Sequence, residues 1–340
     1  MYDAIVVGAR CAGAPLSMLL ARMGHRVLLV DRATFPSDTI STQFIWPPGV
    51  ACLKRWGLLD RLRATNSPPI YEIGFDPGPF QLTGTPPPAD DISEMYAPRR
   101  TVLDKLLVDA AAEAGAEVAE GFRVSGVTSS NDCVTGIQGH QRNGPQIEER
   151  ATIVVGADGR HSVVAEAVGA EEYDVRPVVT CCYYGYWRGL PPYRVTIRMR
   201  PRRALVSFPT NDSLTLSLVA FPIDEFEAVK SDIDRHFMAA VDLVPEVAEL
   251  LRTGERVERY FGTGDISNFF RKPYGDGWAL VGDAGYHKDP CTAQGISDAF
   301  LSVEWLANAI HAGVSGARPV GEALAEYQRF ATPTSSRCMN

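Results

Sequence analysis

Three short stretches of this 340-residue chain carry residue types whose spacing suits the grip of a phosphorylated, hydroxyl-rich ligand. The first is Gly8-Ala-Arg-Cys-Ala-Gly13. Glycine at the end of a strand permits a tight turn, and glycine at the opening of the next helix permits close packing of helix on strand. The helix then turns its unpaired N–H groups, and the positive end of its dipole, on a diphosphate. Arg10 stands where a second glycine would let the backbone approach the ligand. Its side chain either touches the diphosphate or points to solvent. Cys11 and Ala12 complete the turn. Asp31 lies 23 residues beyond Gly8, where a carboxylate can accept both hydroxyls of an adenosine ribose, and Arg32 follows it. The set reads as an adenine dinucleotide site.

The second stretch is Val155-Gly-Ala-Asp-Gly-Arg-His-Ser162. Small residues around Asp158 let backbone pass near a ligand, although an aspartate bonding its own turn explains them equally well. The third runs from Val281-Gly-Asp-Ala-Gly through His287, Lys288, Asp289 and Pro290 to Gln294-Gly295-Ile296. Here Gly282 frees a strand end and Asp283 can accept hydroxyls from a sugar-like chain. The Gln294–Ile296 backbone opens a helix whose N–H groups face developing negative charge.

Elements of fixed type must hold these stretches. Ala4–Val7 and Arg26–Val30 are short apolar runs that fit buried parallel strands, with a helix from Ala14 to Met23 between them and Pro15 tolerated in its first turn. Helical spacing returns over Val102–Ala114 and over Gly295–Ala312. Ala151–Val155 and Trp278–Val281 read as further buried strands. A hairpin is expected to turn at Asn143-Gly144. The segment Ile70–Pro98 is dense in glycine and proline, and the segment from Asp174 to Phe270 reads mainly as strands. In the latter, Val195, Ile197 and Met199 alternate with Arg194, Thr196, Arg198 and Arg200, predicting one wet face; Leu214, Leu216 and Leu218 alternate similarly. A single helix is expected at about Phe226–Ala240, and Ala331–Asn340 reads as a frayed tail.

Composition bounds the function. Hydrophobic residues make up 45% and charged residues 22%, as in ordinary globular proteins. A net charge of −8 disfavours bulk electrostatic binding of nucleic acid or anionic membrane. The seven cysteines are scattered without a CxxC pair or Cys/His ligand spacing, so no metal site is expected. No leader and no apolar run long enough to span a bilayer is legible, and the chain reads as a reduced, cytoplasmic protein.

The three stretches, in this order, resemble the FAD-dependent oxidoreductases of the p-hydroxybenzoate hydroxylase fold, which group A aromatic monooxygenases and geranylgeranyl reductases share. The resemblance spans about residues 2–312. It implies an α/β, Rossmann-like FAD-binding domain (1–69, 98–172 and 272–312) with an interleaved β-rich substrate domain (70–97 and 173–271); residues 313–340 would be a C-terminal helix remnant and tail. It further implies that Gly8, Arg10, Cys11, Ala12, Gly13, Asp31 and Arg32 hold the ADP half of FAD. Asp158 would lie near the diphosphate, and Gly282 and Asp283 on the chain linking it to the flavin. Pro290, Gln294, Gly295 and Ile296 would lie near the pyrimidine ring. Ser41, Thr42 and Gln43 resemble the loop beside the isoalloxazine, and Arg100 the arginine that reaches the FAD. Arg10, and Thr292 where many members have glycine, depart from the pattern.

The chain has no second glycine-rich βαβ unit, so NAD(P)H is expected as a transient reductant, as in group A monooxygenases. The WxWxIP motif of flavin halogenases is absent; Trp187-Arg-Gly-Leu-Pro191 is only superficially similar. The resemblance implies oxygen transfer from O2, through a flavin C4a-hydroperoxide, to a small aromatic or polyene-like molecule. Reduction of C=C bonds, as in geranylgeranyl reductases, and non-catalytic flavin binding are the alternatives. His287 is a candidate acid or base, or a structural histidine. Lys288 is a candidate for steering an anion. Gln43, Trp46, Tyr184 and Tyr186 are candidate pocket residues, the tyrosines serving equally as sheet filling.

Overall fold

The computed structural model describes residues 1–142, 144–190 and 195–331. The chain opens with β1 (Tyr2–Val7), α1 (Gly13–Arg22) and β2 (Val27–Asp31), matching the two apolar runs and the small-residue turn. Helices α2 (Pro47–Arg55) and α3 (Leu59–Arg63) follow, then the short strands β3 (Ile73–Asp76) and β4 (Leu82–Gly84). Next come α4 (Arg100–Glu113), β5 (Glu117–Glu120), β6 (Phe122–Ser130), β7 (Cys133–Gln141) and β8 (Ile147–Gly156). α5 (Val163–Ala167) and β9 (Glu172–Arg176) precede the run β10 (Thr180–Arg188), β11 (Val195–Arg200), β12 (Arg203–Pro209) and β13 (Thr215–Pro222). Helices α6 (Phe226–Ser231), α7 (Ile233–Val241) and α8 (Pro245–Thr253) then give way to β14 (Glu255–Arg256), β15 (Phe261–Thr263) and β16 (Asn268–Arg271). The last elements are β17 (Tyr274–Gly275), β18 (Trp278–Leu280), β19 (Tyr286–His287), α9 (Gly295–Val314) and α10 (Val320–Ala331).

The first sheet orders β17-β18-β8-β1-β2-β5. β1 lies between β2 and β8, parallel to both, with Ala4 opposite Val27 and Ile153. Ala4–Val7 are buried on both faces, which explains why that run is continuously apolar rather than alternating. The N-terminal half of β8 pairs with β7 instead, antiparallel, and β7 pairs with β6. Helix α1 packs on α4 and α9 against one face of the sheet. The second sheet orders β14-β10-β13-β12-β11-β3-β4, antiparallel except where β11 meets β3. β9, β16 and β19 form a third, small sheet.

Several local expectations need correction. The single helix at Phe226–Ala240 is two, α6 and α7. Asp232 (φ −153°) breaks the run and its carboxylate accepts from the Arg235 N–H, so it caps α7 rather than continuing α6. The predicted wet face of β11 is covered: Arg198 is buried beside Glu246 of α8, whereas Met199 is exposed. β13 is buried on both faces, so its leucines do not mark a solvent boundary. α2, α3 and α8 carry no strong signal in the sequence beyond a proline near the start of α2 and of α8. β7 and β8 are antiparallel as a hairpin requires, but Asn143 lies outside the described residues, as do residues 332–340 of the expected tail.

At the end of the first layer remote from Gly8, His25 Nε2 and His311 Nδ1 are 2.8 Å apart, joining the C-terminal ends of α1 and α9. One ring must donate and the other accept, so the contact needs at least one neutral imidazole. Burial holds the His25 pKa below its ordinary 6.5, with Asp3 opposing the shift and His311 adding to it. The unfolded chain therefore binds the proton first on acidification. The stabilisation is complete above about pH 6.5 and is lost as pH falls through the lowered native value. We predict that the thermal midpoint falls between pH 7.5 and 5.5, and that it falls less in His25→Gln; an equal fall in both would show that another group is responsible.

Candidate functional site

The three stretches meet around one cleft of about 600 Å³, closed on its far side by the second sheet. β1 delivers Gly8, whose φ of +101° and position 2.4 Å, measured from an ideal Cβ, from the Ala157 carbonyl oxygen leave room for no side chain. A Cβ on Gly13 would fall 1.7 Å from the Gly8 oxygen, so both glycines are fixed by close backbone approach. Asp31, at the end of β2, is oriented by two backbone donors: the Ala9 and Ala33 N–H groups each reach a carboxylate oxygen at 2.7 Å. No side chain caps the start of α1; the Ala14 and Leu16 N–H groups bond to the Arg10 and Ala12 carbonyls, and the turn of Arg10, Cys11 and Ala12 ahead of them lines the cleft. Gly13 itself sits behind this lining.

Arg10 lines the cleft and is tied down by protein partners rather than simply pointing to solvent. Its guanidinium pairs with the fully buried Asp104 of α4 and donates to Ser37 Oγ at 3.0 Å and to the Ser37 and Asp38 carbonyls at 3.3 and 3.4 Å. It lies over the Phe35 ring, 5.3 Å from its centroid. Asp104 also accepts from Arg100 Nε at 3.0 Å and from the Cys11 thiol at 3.4 Å. Burial works against the Arg100 cation, but Asp104 more than compensates and raises its pKa. Burial likewise pushes the Cys11 thiol well above its ordinary range, so it stays protonated. Both arginines line the cleft and share the Asp104 carboxylate, so these three groups together carry one net positive charge beside the turn at Gly8–Gly13.

Asp158 serves both readings considered for it. It lines the cleft, and it accepts from Ser162 Oγ at 2.6 Å and the Val163 N–H at 2.7 Å, fixing the start of α5. Asp283 stands open to the cleft yet deep among protein atoms. This crowding raises its pKa, with His287, Arg100 and Arg160 pulling the other way. Loop residues 287–293 are tied to the second sheet and its neighbours. Asp289 accepts from Thr180 and from the Cys291 N–H, and its own N–H donates to Asn268 Oδ1 at 2.6 Å. His287 Nδ1 abuts the Ser267 carbonyl oxygen, an obligate acceptor, so Nδ1 carries a proton and Nε2 is the ring nitrogen left for other partners. Lys288 is engaged by Gln294 Oε1 at 3.0 Å and by Asp298 at 2.5 Å. Pro290, Gln294, Gly295 and Ile296 line the cleft where α9 begins, and no side chain caps that helix either.

On the opposite wall, Tyr184 of β10 lines the cleft with Cys182, Leu218 and Ile266, and stacks on Phe261 at 5.4 Å. Ser41, Thr42 and Arg32 also reach the cleft, but Gln43, Trp46 and Tyr186 do not line it. Gln43 is fully buried and donates to the Tyr186 hydroxyl; Arg99 covers the Tyr186 ring at 4.2 Å. Trp46 donates to the Thr292 carbonyl at 3.1 Å. These three brace the loops around the site. Asp38, Thr39, Arg160 and His161 line the cleft without having been selected. His161 meets Asp265 at 2.8 Å across 104 residues of sequence, a pairing that no local signal announces.

Glycine-tight backbone, two uncapped helix starts, an aspartate fixed at the end of β2 and a pair of arginines sharing one carboxylate fit the adenine-diphosphate portion of FAD. The comparison with known proteins agrees. The chain matches the FAD binding domain family over residues 1–339, and it belongs to that family. It is an FAD-dependent oxidoreductase. It is 27% identical over 344 aligned positions to the digeranylgeranylglycerophospholipid reductase of Methanocella arvoryzae, an alignment covering 96% of this chain and 83% of that protein. The fold is similar to that of the myxobacterial chondrochloren halogenase (TM-score 0.90, 24% identity, 97% of this chain and 79% of that one). It is also similar to a probable FAD-dependent monooxygenase from Pseudomonas aeruginosa (TM-score 0.83, 21% identity, 98% and 92%). Among the described residues, no helix is long and apolar enough to cross a membrane and no cluster suits a metal ion.

Removing a buried carboxylate that serves two arginines leaves uncompensated charge. Asp104→Asn is expected to cost about 3 kcal/mol of stability. In a double-mutant cycle, Arg10→Ala and Asp104→Ala should couple by more than about 1 kcal/mol, measured by denaturant unfolding of the FAD-free protein. Additive losses would place Arg10 outside the network.

Proposed function

We propose that this chain is an NAD(P)H-consuming FAD monooxygenase that hydroxylates or epoxidises a small aromatic or polyene-like molecule. The observation that carries the reading is the division of the cleft. One end is built of glycine turns, carboxylates and arginines; the other carries the apolar side chains of Cys182, Tyr184, Leu218 and Ile266 beside Thr263 and Asp265, and the start of α9 lines the same cleft.

In this reading Gly8, Cys11, Ala12 and Asp31 hold the adenosine and diphosphate, with Arg10 and Arg100 supplying positive charge. Arg32 flanks the ribose, Asp158 borders the diphosphate, and Gly282 and Asp283 meet the hydroxylated chain. Ser41, Thr42, Pro290, Gln294, Gly295 and Ile296 surround the ring, and the α9 N–H groups stabilise negative charge there. Bound FAD supplies the redox and oxygen-activating chemistry. The protein orients the substrate against Tyr184, keeps water from that wall, and offers His287 Nε2 as the site that takes or returns a substrate proton. Lys288, engaged by Gln294 and Asp298, braces the loop rather than meeting substrate. NAD(P)H, with no glycine-rich βαβ unit of its own in the sequence, would act as a visiting reductant.

The name of the Methanocella relative favours a second reading, reduction of C=C bonds. Oxygen separates the two. With FAD-loaded protein, NAD(P)H and candidate aromatic or polyene substrates, the monooxygenase reading predicts turnover only in air, with one atom from labelled O2 in the product. Anaerobic product two hydrogens heavier than substrate would establish the reductase instead. His287→Gln should lower kcat by roughly 100-fold while leaving the FAD dissociation constant within twofold; unchanged kcat would remove His287 from proton transfer.

A further inference from the structure

The wall formed by Tyr184 and Leu218 does not end at the cleft. Direct cross-strand partners continue it through Val206 and Ile197 to Phe75 and Leu82, crossing β10, β13, β12, β11, β3 and β4 in one row. Every member is apolar, and all share one sheet face. Exposure rises steadily along it: 1% at Tyr184, 8% at Leu218, half-buried at Val206 and Ile197, 41% at Phe75 and 57% at Leu82. The row on one side, Cys182, Ala220, Ala204 and Met199, is apolar too. The row on the other side is covered by Phe44, Ile70 and Met95, forming a shoulder. Isolated exposed apolar side chains are ordinary, but a continuous row that begins inside a cleft is not.

We infer that the molecule transformed in the cleft carries a long apolar arm that lies along this row, with its reacting head beside Tyr184; this rests on the reading that substrate occupies the Tyr184 wall. The commitment to an arm, rather than to a protein partner, follows from continuity. A partner settling on the edge at β4 would cover Phe75 and Leu82 and leave the half-buried middle as it is. A chain issuing from the cleft covers the row from its buried end outward. Five strand spacings give a path of about 24 Å, the reach of a chain of well over a dozen carbons.

The test uses oxidised, FAD-loaded protein with no reductant, titrated with 4-alkylphenols of two, six, ten and fourteen tail carbons below their aggregation limits, and read by calorimetry. Affinity is expected to rise about twofold or more per added methylene through the ten-carbon tail, as partial burial of each requires. The double variant Phe75→Ser/Leu82→Ser, altered only at exposed positions, should bind ethylphenol as the parent does and lose at least tenfold for the longest tail. Val179→Ser, at an exposed apolar position off the row, should lose nothing. Affinity independent of tail length, or an unchanged rise in the double variant, overturns the inference. So does a parent protein that sediments as a dimer and becomes monomeric in the double variant, which would assign the row to a second copy. Because no turnover is involved, any of these failures leaves the oxygen-dependence assay to judge the monooxygenase reading separately.

Discussion

One buried carboxylate organises the cofactor end of this molecule. Asp104 has no exposure to solvent, and three groups from one helix and one turn converge on it: Arg100, Arg10 and Cys11. A lone buried carboxylate is costly, and so is a lone buried guanidinium; together, with one arginine in excess, they are stable and leave positive charge facing the cleft. The consequence spreads outward. Arg10 also holds Ser37 and the Asp38 carbonyl, while the Asp38 carboxylate meets Arg99 at 3.2 Å. Arg99 in turn pairs with Glu258 and covers Tyr186. A continuous run of ionic and hydrogen-bonded contacts thus joins the turn at Gly8–Gly13, the loop at residues 37–42 and the second sheet.

This explains why Arg10 is acceptable where the dinucleotide-binding pattern calls for glycine. Glycine at that place is favoured when the backbone itself must approach a ligand. Here the long side chain leaves the turn sideways, toward α4 and Phe35, so it does not fill the space above Cys11 and Ala12. The same displacement gives the loop at residues 37–42 an anchor that a glycine cannot supply. Backbone tightness at Gly8 and Gly13 is retained, because there any Cβ would overlap a carbonyl.

The legible parts of the sequence were those in which local chemistry and long-range geometry coincide. Gly8, Asp31, Asp283 and Gly295 each sit at the end of a strand or the start of a helix, so a pattern of apolar runs and small residues locates them. Gln43 and Tyr186 were misplaced as pocket candidates because polarity and aromaticity were visible while orientation was not. Gln43 adopts φ of +61° and turns its amide into the protein, a choice set by Tyr186, 143 residues away. Arg198 read as a wet-face residue because the covering helix α8 could not be seen from β11 alone. The pairing of His161 with Asp265 and the role of Asp104 were hidden for the same reason: a partner distant in sequence decides what each residue does.

The two ends of the cleft are coupled by construction rather than by proximity alone. Loop residues 287–293 leave the first sheet after β18, and their polar groups are secured by Ser267, Asn268 and Thr180 near the second sheet. The same loop ends at the uncapped start of α9, whose far end packs against α1 through His311 and His25. Loop residues 287–289 are thus held from the side of the second sheet, while the start of α9 is held by the first-layer core around Ile296 and Phe300. The turn at Gly8–Gly13 and the loop are thus fixed by ion pairs and hydrogen bonds, whereas the apolar wall is fixed by the pairing of β10 with β13 and by the packing of Tyr184 on Phe261.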